Sequence, residues 1–202
     1  MTTETMNTHE ADTGRRRVLV AATSALGAVG VGFVAVPFIS SLNPSAKARA
    51  AGAPVEADVS KLEPGALMRV KWRGQPIWVV NRTEKMLEAL PSNDPKLVDP
   101  NSEVPHQPEY CKNPTRSIKP QYFVAIGICT HLGCSPTYRP EFAPDDLGKD
   151  WKGGWFCPCH GSKFDLAGRV LKGVPAPTNL WVPKHMYRNE TTILVGEDEG
   201  AA

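Results

Sequence analysis

Six cysteine and histidine side chains occur in two short segments of this sequence. The first segment is Cys129–Cys134 (CTHLGC), and the second, Cys157–Ser162 (CPCHGS), follows after 22 intervening residues. Thiolates and imidazoles in this combination bind either a tetrahedral zinc ion or an iron–sulfur cluster with mixed ligands. Because a zinc site takes four protein ligands, six donors leave two without a metal to bind. The spacing therefore predicts a metal centre built from two loops, in which four of the six side chains bind the metal and two have another role.

Both segments resemble the cluster-binding motifs of the Rieske iron–sulfur proteins of the cytochrome bc1 complex, the ubiquinol:cytochrome c oxidoreductases. The first segment matches as C-x-H-x-G-C and the second as C-x-C-H-G-S. The resemblance implies a disulfide between Cys134 and Cys159. It also implies one Rieske-type [2Fe-2S] cluster per subunit, with two cysteines on one iron and two histidines on the other: Cys129 and Cys157, and His131 and His160.

Neutral imidazole ligands bring less negative charge than thiolates, so a cluster with two histidine ligands is easier to reduce. Rieske centres as a class have reduction potentials of about −150 to +300 mV. The resemblance therefore implies a centre that takes one electron from a quinol. It further implies that His160 hydrogen-bonds the quinol and accepts its proton, and that His131 is a second exposed imidazole of similar character.

Four further positions around the ligands are assigned by the same resemblance. Ser162 matches a serine whose hydroxyl hydrogen-bonds a cluster sulfur, and such bonds raise the potential. Leu132 and Pro175 are expected to shield the cluster, the latter within a proline loop at Gly173–Pro177. Phe164 departs from the family, which commonly has a tyrosine there. We therefore expect one hydrogen bond fewer and a lower potential than in relatives that have the tyrosine.

Three other classes of protein are alternatives. A structural zinc module explains four donors but leaves two cysteines without a role. A Rieske ferredoxin, or the Rieske component of a ring-hydroxylating oxygenase, shares the ligand spacing but as a class lacks the Cys134 and Cys159 pair. The small Rieske subunit of a periplasmic oxidase such as arsenite oxidase has the disulfide and also uses Tat export. Copurification with b- and c-type haems distinguishes this last alternative.

The composition predicts a mainly β head domain. The chain has 202 residues, a formal net charge of +2, 17 glycines and 19 prolines, which favours short strands and turns over a helical bundle. We expect antiparallel sheets with a small inserted cluster-binding subdomain. The fifth cysteine, Cys111, has no assigned function, and we expect no nucleic-acid partner.

The N-terminal segment combines a basic cluster with a long apolar stretch. Residues 1–17 form a polar leader that ends in three arginines, and the next 29 residues, 18–46, carry no charge. A helix of about 22 residues spans ~33 Å, enough for a hydrocarbon core of about 30 Å. Residues 18–40 are therefore predicted to form a transmembrane anchor. The arginines followed by Val18-Leu19 resemble a twin-arginine (Tat) export signal, and the family resemblance implies that the anchor is not cleaved.

The resemblance also implies an arrangement in the membrane. Residues 41–54, which are small, polar and interrupted by proline, are expected to be a flexible tether. The tether lets the head domain at 55–202 move between cytochrome b and cytochrome c1, with its cluster-binding subdomain at about 128–178. We expect a dimeric complex that oxidises ubiquinol, in the bacterial inner membrane, with a single-pass anchor and the head domain on the periplasmic side. A disulfide requires such an oxidising compartment.

Local patterns predict the remaining elements of the head domain. Alternating apolar residues on either side of Arg73-Gly74 indicate a hairpin, and Thr83 is placed to cap a short helix that ends before Pro91. The other predictions are an ordered connection at 91–120, a buried strand at 121–128, a helical turn within 135–154, a strand and turn at 163–170, strands at 179–182 and 192–195, and a frayed tail from residue 197.

Overall fold

A computed structural model of the chain describes residues 12–199. Most of the predicted polar leader (residues 1–11) and the end of the predicted frayed tail (residues 200–202) lie outside the described residues. The chain divides into two compact units, residues 1–49 and residues 50–202.

Helix α1 (Thr13–Ser41) contains the predicted membrane anchor. It begins after Asp12, whose carboxylate accepts hydrogen bonds from the backbone nitrogens of Gly14 and Arg15 at 3.0 and 3.1 Å. Its 29 residues correspond to about 44 Å of helix, which exceeds the thickness of a hydrocarbon core. Within residues 12–199, one helix is long and apolar enough to cross a membrane. The predicted span at 18–40 lies inside it.

The predicted tether contains a second helix, α2 (Ala46–Gly52). The hydroxyl of Ser45 accepts a hydrogen bond from the backbone nitrogen of Ala48 at 3.1 Å, and the sequence AKARAAG is rich in alanine, the residue of highest helix propensity. Seven residues are too few for a stable isolated helix in water. The flexibility of the tether therefore stays a prediction.

Nine short strands form three antiparallel sheets in the described part of the second unit. Their bounds are β1 (Val55–Asp58), β2 (Leu67–Trp72), β3 (Gln75–Asn81), β4 (Tyr122–Ile126), β5 (Thr137–Phe142), β6 (Lys152–Cys157), β7 (Ser162–Asp165), β8 (His185–Tyr187) and β9 (Thr192–Val195). The sheet orders are β1-β9-β8, β2-β3-β4 and β5-β6-β7. The prediction of a mainly β antiparallel fold is confirmed.

The β2–β3 hairpin forms as its turn sequence predicts. Arg73 and Gly74 both adopt positive φ, at 49° and 77°, which is the conformation of a two-residue type I′ turn. The predicted helix is α3 (Glu84–Ala89), and the hydroxyl of Thr83 accepts a hydrogen bond from the backbone nitrogen of Met86 at 3.3 Å. A 3-10 helix at Leu90–Lys96 continues directly from it.

The predicted strand at 179–182 is wrong. Its backbone hydrogen bonds go to three separate segments. The backbone nitrogen of Leu180 donates to Gly168, that of Val182 donates to His106, and the carbonyl of Trp181 accepts from Ile126, all at 2.8 Å. No single neighbouring strand is paired with this segment, so no ladder forms.

Four strands were not predicted: β1, β5, β6 and β8. Strand β5 occupies part of the insert for which a helical turn was expected. The turn itself is short: the nitrogens of Leu147 and Gly148 donate to the carbonyl of Pro144 at 3.3 and 3.0 Å. The sequence of β5, TYRPEF, contains a proline and has no regular alternation of apolar residues. Its pairing with β6 therefore depends on a partner that lies beyond the reach of a local pattern.

The main apolar core lies between the β2-β3-β4 sheet and the β5-β6-β7 sheet, and it includes the cysteines Cys129 and Cys157. Trp155 of β6 stacks in parallel on Trp78 of β3, with ring centroids 5.6 Å apart. Trp155 also contacts Phe123 of β4, at 5.4 Å between ring centroids. This aromatic group connects the two sheets, and Trp155 lies two residues before Cys157 in the same strand.

Candidate metal centre

The two predicted ligand segments are loops with the same local geometry. Loop 1 (Cys129–Cys134) follows β4, and loop 2 (Cys157–Ser162) joins β6 to β7. In loop 1 the nitrogen of Gly133 donates to the carbonyl of Cys129 at 3.1 Å, and in loop 2 the nitrogen of Gly161 donates to the carbonyl of Cys157 at 2.9 Å. Both glycines have positive φ, 83° and 77°, which side chains disfavour. Each loop is therefore a tight turn with a histidine near its tip.

Cys134 of loop 1 and Cys159 of loop 2 form the predicted disulfide, with their Cα atoms 6.7 Å apart. Loop 1 is further closed by a hydrogen bond from the nitrogen of Cys129 to the carbonyl of Cys134 at 2.7 Å. The disulfide holds the two loops side by side.

The four other donors remain available to a metal. Cys129 and Cys157 are free thiols, 3% and 1% exposed. Burial raises the pKa of Cys157, and the adjacent Cys129 thiol raises it further. The rings of His131 and His160 meet edge to face, with centroids 4.7 Å apart. The structure thus brings two thiols together and two imidazoles together in one pair of loops.

One nitrogen in this site fits a role as a metal ligand. Nδ1 of His131 is buried and has no hydrogen-bond partner among the described residues. Leaving a buried polar atom unpaired costs about 1–3 kcal/mol, and coordination removes that cost. His160 is exposed.

A different group of three sulfurs, those of Cys134, Cys157 and Cys159, lies within 4.8 Å of one another. Two of these sulfurs belong to the disulfide and therefore supply no thiolate. This proximity reflects the disulfide packed against Cys157 and does not form a separate metal site.

Loop 3, which we define as Gly173–Thr178 and which contains the predicted proline loop, is connected to both ligand loops. The hydroxyl of Ser162, fully buried, accepts a hydrogen bond from the nitrogen of Ala176 at 3.1 Å. The hydroxyl of Thr130, between two predicted ligands, donates to the carbonyl of Thr178 at 2.7 Å. Thr130 was not singled out from the sequence, because a threonine inside a motif carries no signal of a distant partner.

The two predicted shielding residues lie at the surface. Leu132 at the tip of loop 1 is 71% exposed, and Pro175 is exposed in loop 3. Phe164 is completely buried in the core that contains Cys129 and Cys157. The predicted site residues therefore gather in three loops and the strand that follows loop 2.

Comparison with known proteins places the chain in a family. A family profile described as "Rieske [2Fe-2S] domain" matches residues 100–185, and one described as "Ubiquitinol-cytochrome C reductase Fe-S subunit TAT signal" matches residues 5–45. The ubiquinol-cytochrome c reductase iron-sulfur subunit of Allochromatium vinosum is 78% identical over 188 residues, which cover 93% of this chain and 91% of the relative. The chain belongs to the Rieske iron–sulfur subunits of ubiquinol-cytochrome c reductase.

A more distant curated relative has the same name. The subunit of the same name from Blastochloris viridis is 44% identical over 187 residues, covering 92% of this chain and 94% of the relative. A chain of the solved "Hyperthermophilic respiratory Complex III" has a TM-score of 0.47 and 24% identity, covering 88% of this chain and 98% of that one. The structural similarity is too low to add to the assignment.

Membership among the Rieske subunits settles two alternatives. The Rieske domain carries a [2Fe-2S] cluster, so a structural zinc module is excluded. The relatives described above are named as subunits of ubiquinol-cytochrome c reductase and not as subunits of arsenite oxidase. The expected Tat signal is confirmed by the profile that covers the three arginines.

Proposed function

We propose that this Rieske subunit transfers electrons within a quinol:cytochrome c oxidoreductase, from ubiquinol at cytochrome b to cytochrome c1. The observation that carries the proposal is the pair of disulfide-linked loops in a chain 78% identical to a named subunit of that enzyme. Cys129 and Cys157 hold one iron of the cluster, and His131 and His160 hold the other. The adjacency of the thiols and of the rings supports this ligand set.

When bound, the cluster supplies a one-electron acceptor that neutral imidazole ligands make easier to reduce. His160, at the exposed tip of loop 2, hydrogen-bonds the quinol hydroxyl and accepts its proton. His131 is the second imidazole of the site. Leu132 and Pro175 lie on the outer side of loops 1 and 3 and cover the cluster when the head domain docks.

The remaining residues fix the geometry of the site. The Cys134–Cys159 disulfide holds loops 1 and 2 together, and Thr130 and Ser162 attach loop 3 to both. The oxygen of Ser162 accepts from Ala176, so its hydroxyl hydrogen is left to donate to a cluster sulfur. Such a bond stabilises the reduced cluster, because reduction adds negative charge to the sulfurs.

The membrane arrangement follows from the N-terminal segment. Residues 1–17 carry the Tat signal, 18–40 cross the bacterial inner membrane once, and 41–54 form the tether. The head domain, 55–202 with its cluster-binding subdomain at about 128–178, lies in the periplasm, where a disulfide is stable. The subunit works in a dimeric complex with cytochrome b and cytochrome c1.

Purification of the intact assembly from membranes tests this function. We expect a Rieske-type EPR signal on reduction, copurification of b- and c-type haems, and ubiquinol-dependent reduction of cytochrome c. An EPR signal without b- and c-type haems would instead favour a periplasmic oxidase. A reduction potential that stays constant from neutral to strongly alkaline pH would rule out proton uptake at either histidine ligand.

A further inference from the structure

Three buried arginines converge on the turn that follows loop 2 and β7. This turn is Asp165–Arg169. Arg82 donates to the carbonyl of Leu166 at 3.2 Å, and Arg116 donates to the carbonyl of Ala167 at 3.0 Å. Arg169 within the turn donates to the carboxylate of Asp165 at 2.8 Å. Arg82, Arg116 and Arg169 are 2%, 0% and 1% exposed. We name these three arginines with Asp165 the buried charge group.

The buried charge group has an excess of positive charge. It contains three cations and one anion, and Asp165 is 1% exposed. Burial lowers the pKa of Arg82 to about 9 and that of Arg116 to about 10, so both guanidinium groups remain charged at pH 7. The second carboxylate that contacts Arg169, that of Asp94, has a side chain 49% exposed, and solvent screens it.

The hydrogen-bond acceptors of Arg82 and Arg116 are all neutral atoms, and Nε of Arg116 is buried without a partner among the described residues. Arg82 donates to the carbonyls of Pro120, Thr115 and Leu166 and to the hydroxyl of Ser117. Arg116 donates to backbone carbonyls and to Oε1 of Gln107 at 2.9 Å. Neither guanidinium has a carboxylate as a hydrogen-bond partner among the described residues, so their charge is not cancelled locally.

The buried charge group lies one short strand away from the cluster ligands. In the pairing of β6 with β7, Cys157 faces Ser162 and Gly154 faces Asp165. Three residues of strand place Asp165 about 10 Å from Ser162. The guanidinium of Arg82 lies 5.3 Å from the ring centroid of Phe123, and that ring belongs to the same apolar core as the ligand cysteines. Charges act strongly across such a core, because it has a low dielectric constant and excludes salt.

We propose that the buried charge group raises the reduction potential of the [2Fe-2S] cluster through its electric field. Reduction adds one negative charge to the cluster, and a net positive charge beneath it stabilises the reduced form more than the oxidised form. The three arginines and Asp165 thus set the potential without touching the cluster or the quinol. The proposal depends on the proposed ligand set, since it requires the cluster to lie in loops 1 and 2.

Two isosteric substitutions of opposite sign test the proposal in the full-length chain in membranes. Asp165→Asn removes the buried anion and should raise the midpoint potential. Gln107→Glu places a carboxylate on the guanidinium of Arg116 and should lower it. Gln107→Met removes the same amide without adding charge and should leave the potential unchanged. The measurement is a redox titration followed by the EPR signal of the reduced cluster, whose g values report whether the ligands are intact.

The signs of the two shifts separate an electric field from a structural role. If the group only holds the turn in place, both substitutions loosen β7 and shift the potential in the same direction or not at all, which overturns the proposal. If one variant assembles no cluster, the other variant decides: a shift of the expected sign supports the electric field, and a shift of the opposite sign or no shift overturns it. Absence of a Rieske EPR signal in the unsubstituted chain would contradict the proposed function instead.

Discussion

Replacing Ser162 by alanine tests two hydrogen-bonding roles of one hydroxyl, each with its own measurement. Ser162 is fully buried, and its oxygen accepts from the nitrogen of Ala176 in loop 3 at 3.1 Å. Its hydrogen is then free to donate to a cluster sulfur. Ser162→Ala removes both interactions and adds no bulk, because the alanine side chain is smaller. We therefore expect a lower reduction potential together with a lower stability of the cluster-binding loops.

The fall in potential follows from losing the hydrogen bond to the cluster sulfur, and the fall in stability follows from losing the hydrogen bond to the nitrogen of Ala176. A hydrogen bond to a charged acceptor contributes about 1.5–3 kcal/mol, and the part that differs between the two oxidation states is about half of that. For a one-electron couple, a tenfold change in equilibrium constant, about 1.4 kcal/mol, corresponds to about 59 mV, so we expect a fall of about 30–60 mV. The buried nitrogen of Ala176, left without its acceptor, lowers the free energy of unfolding by about 1–3 kcal/mol.

Redox titration with EPR detection measures the potential, and thermal unfolding of the same samples measures stability. Ser102→Ala is a matched control, because Ser102 is 1% exposed and lies outside the three loops. Its hydroxyl is 3.5 Å from Nδ2 of Asn179. The control should change stability slightly and the potential not at all. An unchanged potential in Ser162→Ala, with an intact EPR signal, refutes the hydrogen bond from this hydroxyl to the cluster.

Three further predictions concern the same centre and its surroundings. Phe164→Tyr places a hydroxyl in the fully buried core that contains both proposed ligand cysteines. We expect the potential to rise by about 30–60 mV, and a lower Tm without that rise would show that no sulfur is within reach. Replacing Cys134 and Cys159 by serine opens a loop whose ends are 25 residues apart. We expect the free energy of unfolding to fall by about 3–4 kcal/mol. An unchanged Tm and an unchanged EPR amplitude would contradict this expectation. Burial lowers the pKa of His185, so the unfolded chain binds more protons than the native chain below about pH 6.5. The free energy of unfolding should therefore decrease as the pH falls from 7 towards 5. In denaturant titrations His185→Gln should flatten this dependence. If the free energy of unfolding of the variant still falls with pH, another group is responsible.

The sequence alone determined the features whose interactions lie within a few residues. The turn at Arg73-Gly74 and the cap at Thr83 were predictable because the residue that favours each conformation is part of it. The metal donors were recognisable for the same reason, since each loop holds its cysteines and its histidine within six residues. The membrane anchor at 18–40 could be predicted from the length of the apolar segment and its lack of charge alone.

Tertiary structure decided the features whose partners are far apart in the chain. Residues 179–182 have the composition of a strand, yet their hydrogen bonds go to segments near residues 106, 126 and 168. The arginines at positions 82, 116 and 169 show no pattern in the sequence, because each guanidinium donates to acceptors that only folding brings to it. The sequence supplies the donors of the metal centre, but the charge buried beneath them is created by packing, since only the folded chain removes water from these side chains.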